Sequence, residues 1–160
     1  MIRGRNNIVR YAKKTDVSSD KSRSEIEKTL ARYGASKFMY GWEEKSAVIA
    51  FEMNDRHIKF VLPLPDRNNK DFTHTPNRGK LRSPTQTQEV YEQAVRQKWR
   101  ALALTILAKL EAVESEISVF EDEFMAHIVL PDGKTVGQWM RPQIARAYEH
   151  GKMPPLMIAG

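Results

Sequence analysis

Apolar positions recur with a helical period first in "SRSEIEKTLARYG", where Ile26, Leu30 and Tyr33 fall on one face. Ser22 and Ser24 are candidate N-caps, Glu25 or Glu27 can complete a capping box, and Gly34 is a stop. The period then changes to two. "SKFMYGW", "AVIAFEM" and "RHIKFVLPLP" predict three strands joined by the turns "EEKS" and "ND". Ala47, Ile49, Phe51 and Met53 share one face of the second strand, and Ile58, Phe60 and Leu62 one face of the third. His57, Lys59 and Val61 point the other way, and Pro63 and Pro65 end the sheet.

Residues 66–83 follow without either period, a length that in a compact domain marks a functional or disordered loop. Ser83 and Pro84 then open a long helix as N-cap and first helical residue. Tyr91, Val95, Trp99, Leu102, Ile106, Leu110 and Val113 step by three or four along it. Leu104 and Leu107 lie off that stripe, which predicts burial of the helix centre on more than one side. Gln93, Arg96, Gln97 and Arg100 make a polar face, with Lys98 set apart toward Tyr91. Ser118 with Glu121 is a capping-box pair for a further helix. Asp132-Gly133 is a turn after a short strand. Thr135 with Gln138 caps a last helical segment, with Pro142 expected in its first turn and Gly151 at its end.

These elements predict an α+β fold: a short N-terminal helix, a three-stranded antiparallel meander, a long central helix packed on the sheet, and a C-terminal helical segment. The expected organisation is a flexible basic arm over residues 1–21 and a single domain over 22–160, with a basic loop at 63–83. No apolar run reaches the roughly 18–20 residues that span a bilayer, so no membrane association is expected. Cysteine is absent, which rules out disulfides and thiolate metal sites and fits a reducing cytoplasm.

The net charge of +6 is concentrated on the segments without period. Arg3, Arg5, Arg10, Lys13, Lys14 and Lys21 face only Asp16 and Asp20 in the arm. Arg67, Lys70, Arg78, Lys80 and Arg82 face only Asp66 and Asp71 in the loop. This distribution suits contact with a polyanion, while solvated tails and loops are the plain alternative. On the nucleic-acid reading, Lys59, Arg67, Lys70, Arg78, Lys80, Arg82, Arg96 and Arg100 meet phosphates, together with Arg3, Arg5 and Arg10 of the arm. Phe72 or Tyr11 stacks a base.

No catalytic constellation emerges. "VLPDGKTVG" lacks the upstream glycine of a phosphate-binding loop, and its Asp-Gly is a better hairpin turn. Glu43-Glu44-Lys45 and Pro65-Asp66 stand in the wrong order for a nuclease signature. Glu123 and His127 are four apart on an expected helix but lack a second histidine at ligand spacing, and His57 lacks an evident carboxylate to orient it. An enzyme is therefore the third reading, open but without a motif to support it, and neither a metal nor a cofactor is expected.

The stretches "RYGASKFMYGW", "IKFVLPLPD", "RQKWRALALTILAKLEAVE" and "FEDEFMAHIVLPDGKTVGQWM" together resemble a family of small phage and prophage proteins over roughly residues 22–155. The resemblance implies a phage or mobile-element setting and assigns no chemistry. In element order the chain is also similar to the single-strand annealing proteins of phage recombination. Those place a β-meander before a long helix and bind single strands along a basic groove. Two functions from different classes follow. One is a nucleic-acid-binding accessory protein with single-stranded DNA as favoured partner. The other is a protein-binding module that inhibits or redirects a host enzyme or defence protein, with Trp139, Met140, Tyr148, Met153 and Met157 as a docking patch. Core packing or self-association into a homo-oligomer are the other uses of those late apolar residues.

Overall fold

The computed structural model describes residues 20–153. The arm residues Arg3, Arg5, Arg10 and Tyr11, and Met157 of the expected docking patch, lie outside the described residues. The observed fold is α+β, as the periodicity predicts. Helix α1, described over residues 20–32, precedes β1 (Ser36–Trp42), β2 (Ser46–Met53) and β3 (Arg56–Pro63), an antiparallel sheet in the order β1-β2-β3. A four-residue helix α2 (Lys70–Thr73) is followed by the 31-residue α3 (Pro84–Glu114). The short α4 (Phe120–Phe124), a 3-10 turn at Met125–His127 and α5 (Val136–His150) complete the chain.

Alternation fixes which way the sheet faces. Ala47, Ile49 and Phe51 of β2 stand opposite Leu62, Phe60 and Ile58 of β3, and all six are buried. The turn between these strands places both Asn54 and Asp55 at positive φ, the conformation of a tight hairpin. Beneath the buried face lie α1, through Ile26 and Leu30, and α3, through Tyr91, Val95, Trp99, Leu102, Ile106 and Leu110. Phe120 and Phe124 of α4 complete the core. The Phe124 ring meets both Phe51 and Phe60 edge-on. His127 stacks on Phe60 at 3.9 Å, and Trp99 lies 5.6 Å from Tyr40. Residues 128–135 then form a small hairpin against the free edge of β3, where Ile58 bridges Ile128 and the Val129 N–H donates to the His57 carbonyl.

Several local expectations are corrected. Residues 20 and 21, assigned to the arm, are helical, so Ser22 and Ser24 sit within α1 and cannot be its N-caps. Helix α1 does end at Gly34, whose φ of 90° and hydrogen bonds Gly34 N to Ala31 O and Ala35 N to Leu30 O close a Schellman motif. Helix α3 closes the same way with Glu116 at φ 58° in the left-handed position, its N–H bonded to Val113 O and that of Ile117 to Ala112 O. That closure also claims the Ser118 N–H, and Val119 becomes the N-cap of α4 with no side-chain bond. The Ser118–Glu121 capping box does not form.

Helix α3 is buried on one side only. Leu104 is 56% exposed and Leu107 half-buried, because among the described residues no helix or strand packs over Leu104 on the side of α3 turned away from the sheet. Pro142 falls in the second turn of α5, not the first. The described late apolar residues do not pack in the core either: α5 has no fully buried residue, and Tyr148 is 88% exposed.

Candidate nucleic-acid interface

Residues 66–82 form a folded knot rather than an irregular loop. Asp66 accepts from the Asn68 N–H, and Asn69 caps α2 by accepting from the Asp71 N–H at 3.0 Å. The chain returns antiparallel: His74 bridges Leu81, and the Thr75 N–H donates to Lys80 O at 2.8 Å. Arg82 locks the base of the knot, its guanidinium donating to the carbonyls of Asp71 at 2.8 Å and Phe72 at 3.0 Å. These are carbonyls of α2, so the arginine satisfies acceptors that so short a helix leaves open. Phe72 is half-buried and meets Tyr91 edge-on at 5.6 Å, anchoring the knot to the first turns of α3. The Ser83–Gln86 capping box then starts α3 at a fixed point.

This geometry sorts the sequence-predicted residues. Lys70, Arg78 and Lys80 are exposed on the knot, and among the described residues no carboxylate pairs with any of them. Arg67 is half-buried beside them. A cleft of about 610 Å³ opens there, with Lys70, Asp71, His74, Thr75 and Arg82 in its wall. Arg82 is spent on backbone carbonyls. Lys59, on the uncovered face of the sheet, donates to the Gly133 carbonyl at 3.0 Å and so ties down the 128–135 hairpin. The half-buried Phe72 ring packs edge-on against Tyr91, so part of it serves the anchor of the knot.

Arg96 and Arg100 are exposed but do not share a side with the knot. At about 100° per residue, they lie about 140° and 180° around α3 from Tyr91, where the knot is anchored. Lys98, exposed and only about 20° from Tyr91, is an α3 cation on the knot's side, whereas Lys109 on that side is held by Glu123. Lys98 and Leu81 are the residues that sequence reasoning passed over. Leu81 is 75% exposed at the antiparallel bridge beside Lys80, an apolar surface among the cations. The off-stripe position of Lys98 was the available signal for the first; no periodic signal marks the second.

The remaining chemistry is structural. Glu123 lies 3.6 Å from Lys109, whose ammonium also donates to the Glu123 carbonyl, and α4 ends before His127. The helical spacing that would let Glu123 and His127 share a metal is therefore broken, and no cluster of three or more metal-ligating side chains occurs among the described residues. Burial against Phe60, and secondarily the nearby Lys109 charge, lower the His127 pKa below its ordinary value. His57 does have a carboxylate neighbour, Glu52 at 3.6 Å, its cross-strand partner. A hydrogen bond from Lys37 holds the Glu52 carboxyl below the usual range, and the group sits on the open sheet face. Glu43, Glu44 and Lys45 occupy the β1–β2 turn, and Asp132-Gly133 the hairpin turn.

No helix of the described residues is long and apolar enough to cross a membrane. Comparison with protein families, curated proteins and solved structures returns no match. The described residues form an α+β fold.

Proposed function

We propose that the chain is a nucleic-acid-binding accessory protein, of the kind phages use in replication or recombination, with single-stranded DNA as its favoured partner. One observation carries the reading: the most basic segment outside the arm is folded and anchored, and it presents Lys70, Arg78 and Lys80 outward without acidic partners among the described residues. Because the backbone that carries these cations is already folded, binding phosphates costs little loop ordering, and only the side chains lose freedom. Arg67 and Lys98 extend the same surface, and Leu81 offers an apolar contact to an unstacked base.

Fluorescence anisotropy with labelled single- and double-stranded DNA and RNA across a salt series tests it. A surface making about four phosphate contacts gives a slope of log affinity against log salt of about −3 on single strands. Tighter binding to single-stranded DNA than to duplex is expected. Absence of binding at low salt, or affinity that does not change with salt, overturns the reading.

A second reading is favoured by α5, whose Ile144, Tyr148 and the following Met153 are exposed while the helix buries nothing. Such a surface suits a module that docks on a host enzyme or defence protein. A specific protein recovered in nuclease-treated pull-downs, and lost on Ile144→Asp, is the result it requires.

A further inference from the structure

We infer that the outward face of α3 is a self-complementary interface through which two copies of the chain pair as antiparallel helices. The inference is independent of the nucleic-acid reading and uses residues on the other side of the helix. Leu104, 56% exposed, lies at the middle of this face, flanked by exposed Ala101 and Ala108, with Arg100 and Arg96 toward one end and Glu111 and Glu114 toward the other. Relative to Leu104, Arg100 and Glu111 lie about 40° and 20° to one side, and Arg96 and Glu114 both about 80° to that same side.

A two-fold axis perpendicular to a pair of antiparallel helices keeps each side facing its own kind. An axis near residues 105–106 therefore sets Arg100 opposite Glu111 of the second copy and Arg96 opposite Glu114, each pair twice. It also sets Leu104 against the half-buried Leu107, while the small Ala101 and Ala108 permit close approach of the backbones.

The charge order along α3 supports the second copy over other occupants. Three glutamates, Glu111, Glu114 and Glu116, crowd the C-terminal end, and the last turn holds no cation. Within one chain that order opposes the helix dipole. In an antiparallel pair each acidic end lies beside the arginines of the other helix, and the two dipoles oppose. Glu111 is already held in place by the hydroxyl of Tyr33. A polyanion on this face would meet Arg96 and Arg100 but also the glutamates about 16 Å further along the helix.

Sedimentation velocity of the full chain at low and high salt decides the matter, with thermal melts to show that each variant folds. The wild type is expected to sediment as a dimer at low salt and to dissociate as salt rises. Arg96→Glu with Arg100→Glu gives monomer, as does Glu111→Arg with Glu114→Arg, and an equimolar mixture of the two double variants regains the dimer. Leu104→Glu, at an exposed position, gives a folded monomer. A wild type that stays monomeric at low salt and high concentration overturns the proposal, as does a dimer indifferent to Leu104→Glu or to both charge reversals. Loss of single-stranded DNA affinity in Arg96→Gln with Arg100→Gln, with the oligomeric state unchanged, would assign these arginines to phosphate and also overturn it.

Discussion

Helices α3 and α5 open with the same device and end in opposite circumstances. Each starts with a capping box, Ser83 with Gln86 and Thr135 with Gln138, and each carries apolar residues at helical spacing. Helix α3 buries seven residues against the sheet and α5 buries none. The local code that starts a helix is thus the same for an element of the core and for one laid on the surface. What differs is the partner. The α3 stripe packs in the core beneath the sheet, whereas α5 touches the described residues mainly through the Met125–His127 turn. An apolar stripe shows that a helix has something to bury, not that its own chain buries it.

The comparison is broken most strongly at Trp99. Trp99→Ala removes a side chain that is 2% exposed, and a loss of about 3–5 kcal/mol is expected in urea titration. Tyr148→Ala, an aromatic truncation on α5, is expected to stay within about 0.5 kcal/mol. Comparable losses from the two would mean that α5 is packed in solution against something not drawn from this chain's core.

A smaller effect tests how α5 is attached. A Cβ on Gly137 would lie 2.9 Å from the Ala126 carbonyl oxygen, a backbone atom that cannot swing aside. Gly137→Ala is expected to cost about 1–3 kcal/mol through a shift between α5 and the 3-10 turn. A stability equal to wild type would show that this close approach is not maintained.

The smallest effect concerns His127 in the same turn. Its folded pKa lies below the ordinary 6.5, so the unfolded chain binds more protons in that range. The stability due to neutral His127 is fully present above about pH 6.5 and is lost as pH falls below it, toward the lowered folded value. His127→Phe keeps a ring against Phe60 and removes the titration. It should therefore lose less stability than wild type between pH 7 and 5, as read by urea midpoints. Parallel pH profiles would contradict the burial assigned to this ring.

Much of the fold was legible because each signal was local and unopposed. Alternation in "AVIAFEM" and "RHIKFVLP" identified the core face, Asn54-Asp55 the turn, and Ser83-Pro84 the start of α3. The failures occurred where a neighbour decided. Ser118 looked like a cap, but its N–H closes the end of α3. Leu104 looked buried because it is an apolar residue off the main stripe, and among the described residues no helix or strand packs over it. The knot was unreadable because its order comes from Asx caps, one arginine on carbonyls and a single aromatic contact, none of which has a period. The charge of the candidate site was visible in the sequence. Which cations share a side was not, since that depends on where Phe72 lands on α3.

The most direct test of the account compares two sets of neutralised cations on one labelled single-stranded DNA. Lys70→Gln, Arg78→Gln and Lys80→Gln together should reduce the salt slope by about 2 and weaken binding at low salt at least about tenfold. Arg96→Gln with Arg100→Gln should leave the slope of each protomer within about 0.5 of wild type. Equal losses from the two sets, or an unchanged slope in the triple variant, would contradict the assignment of nucleic-acid contact to the knot.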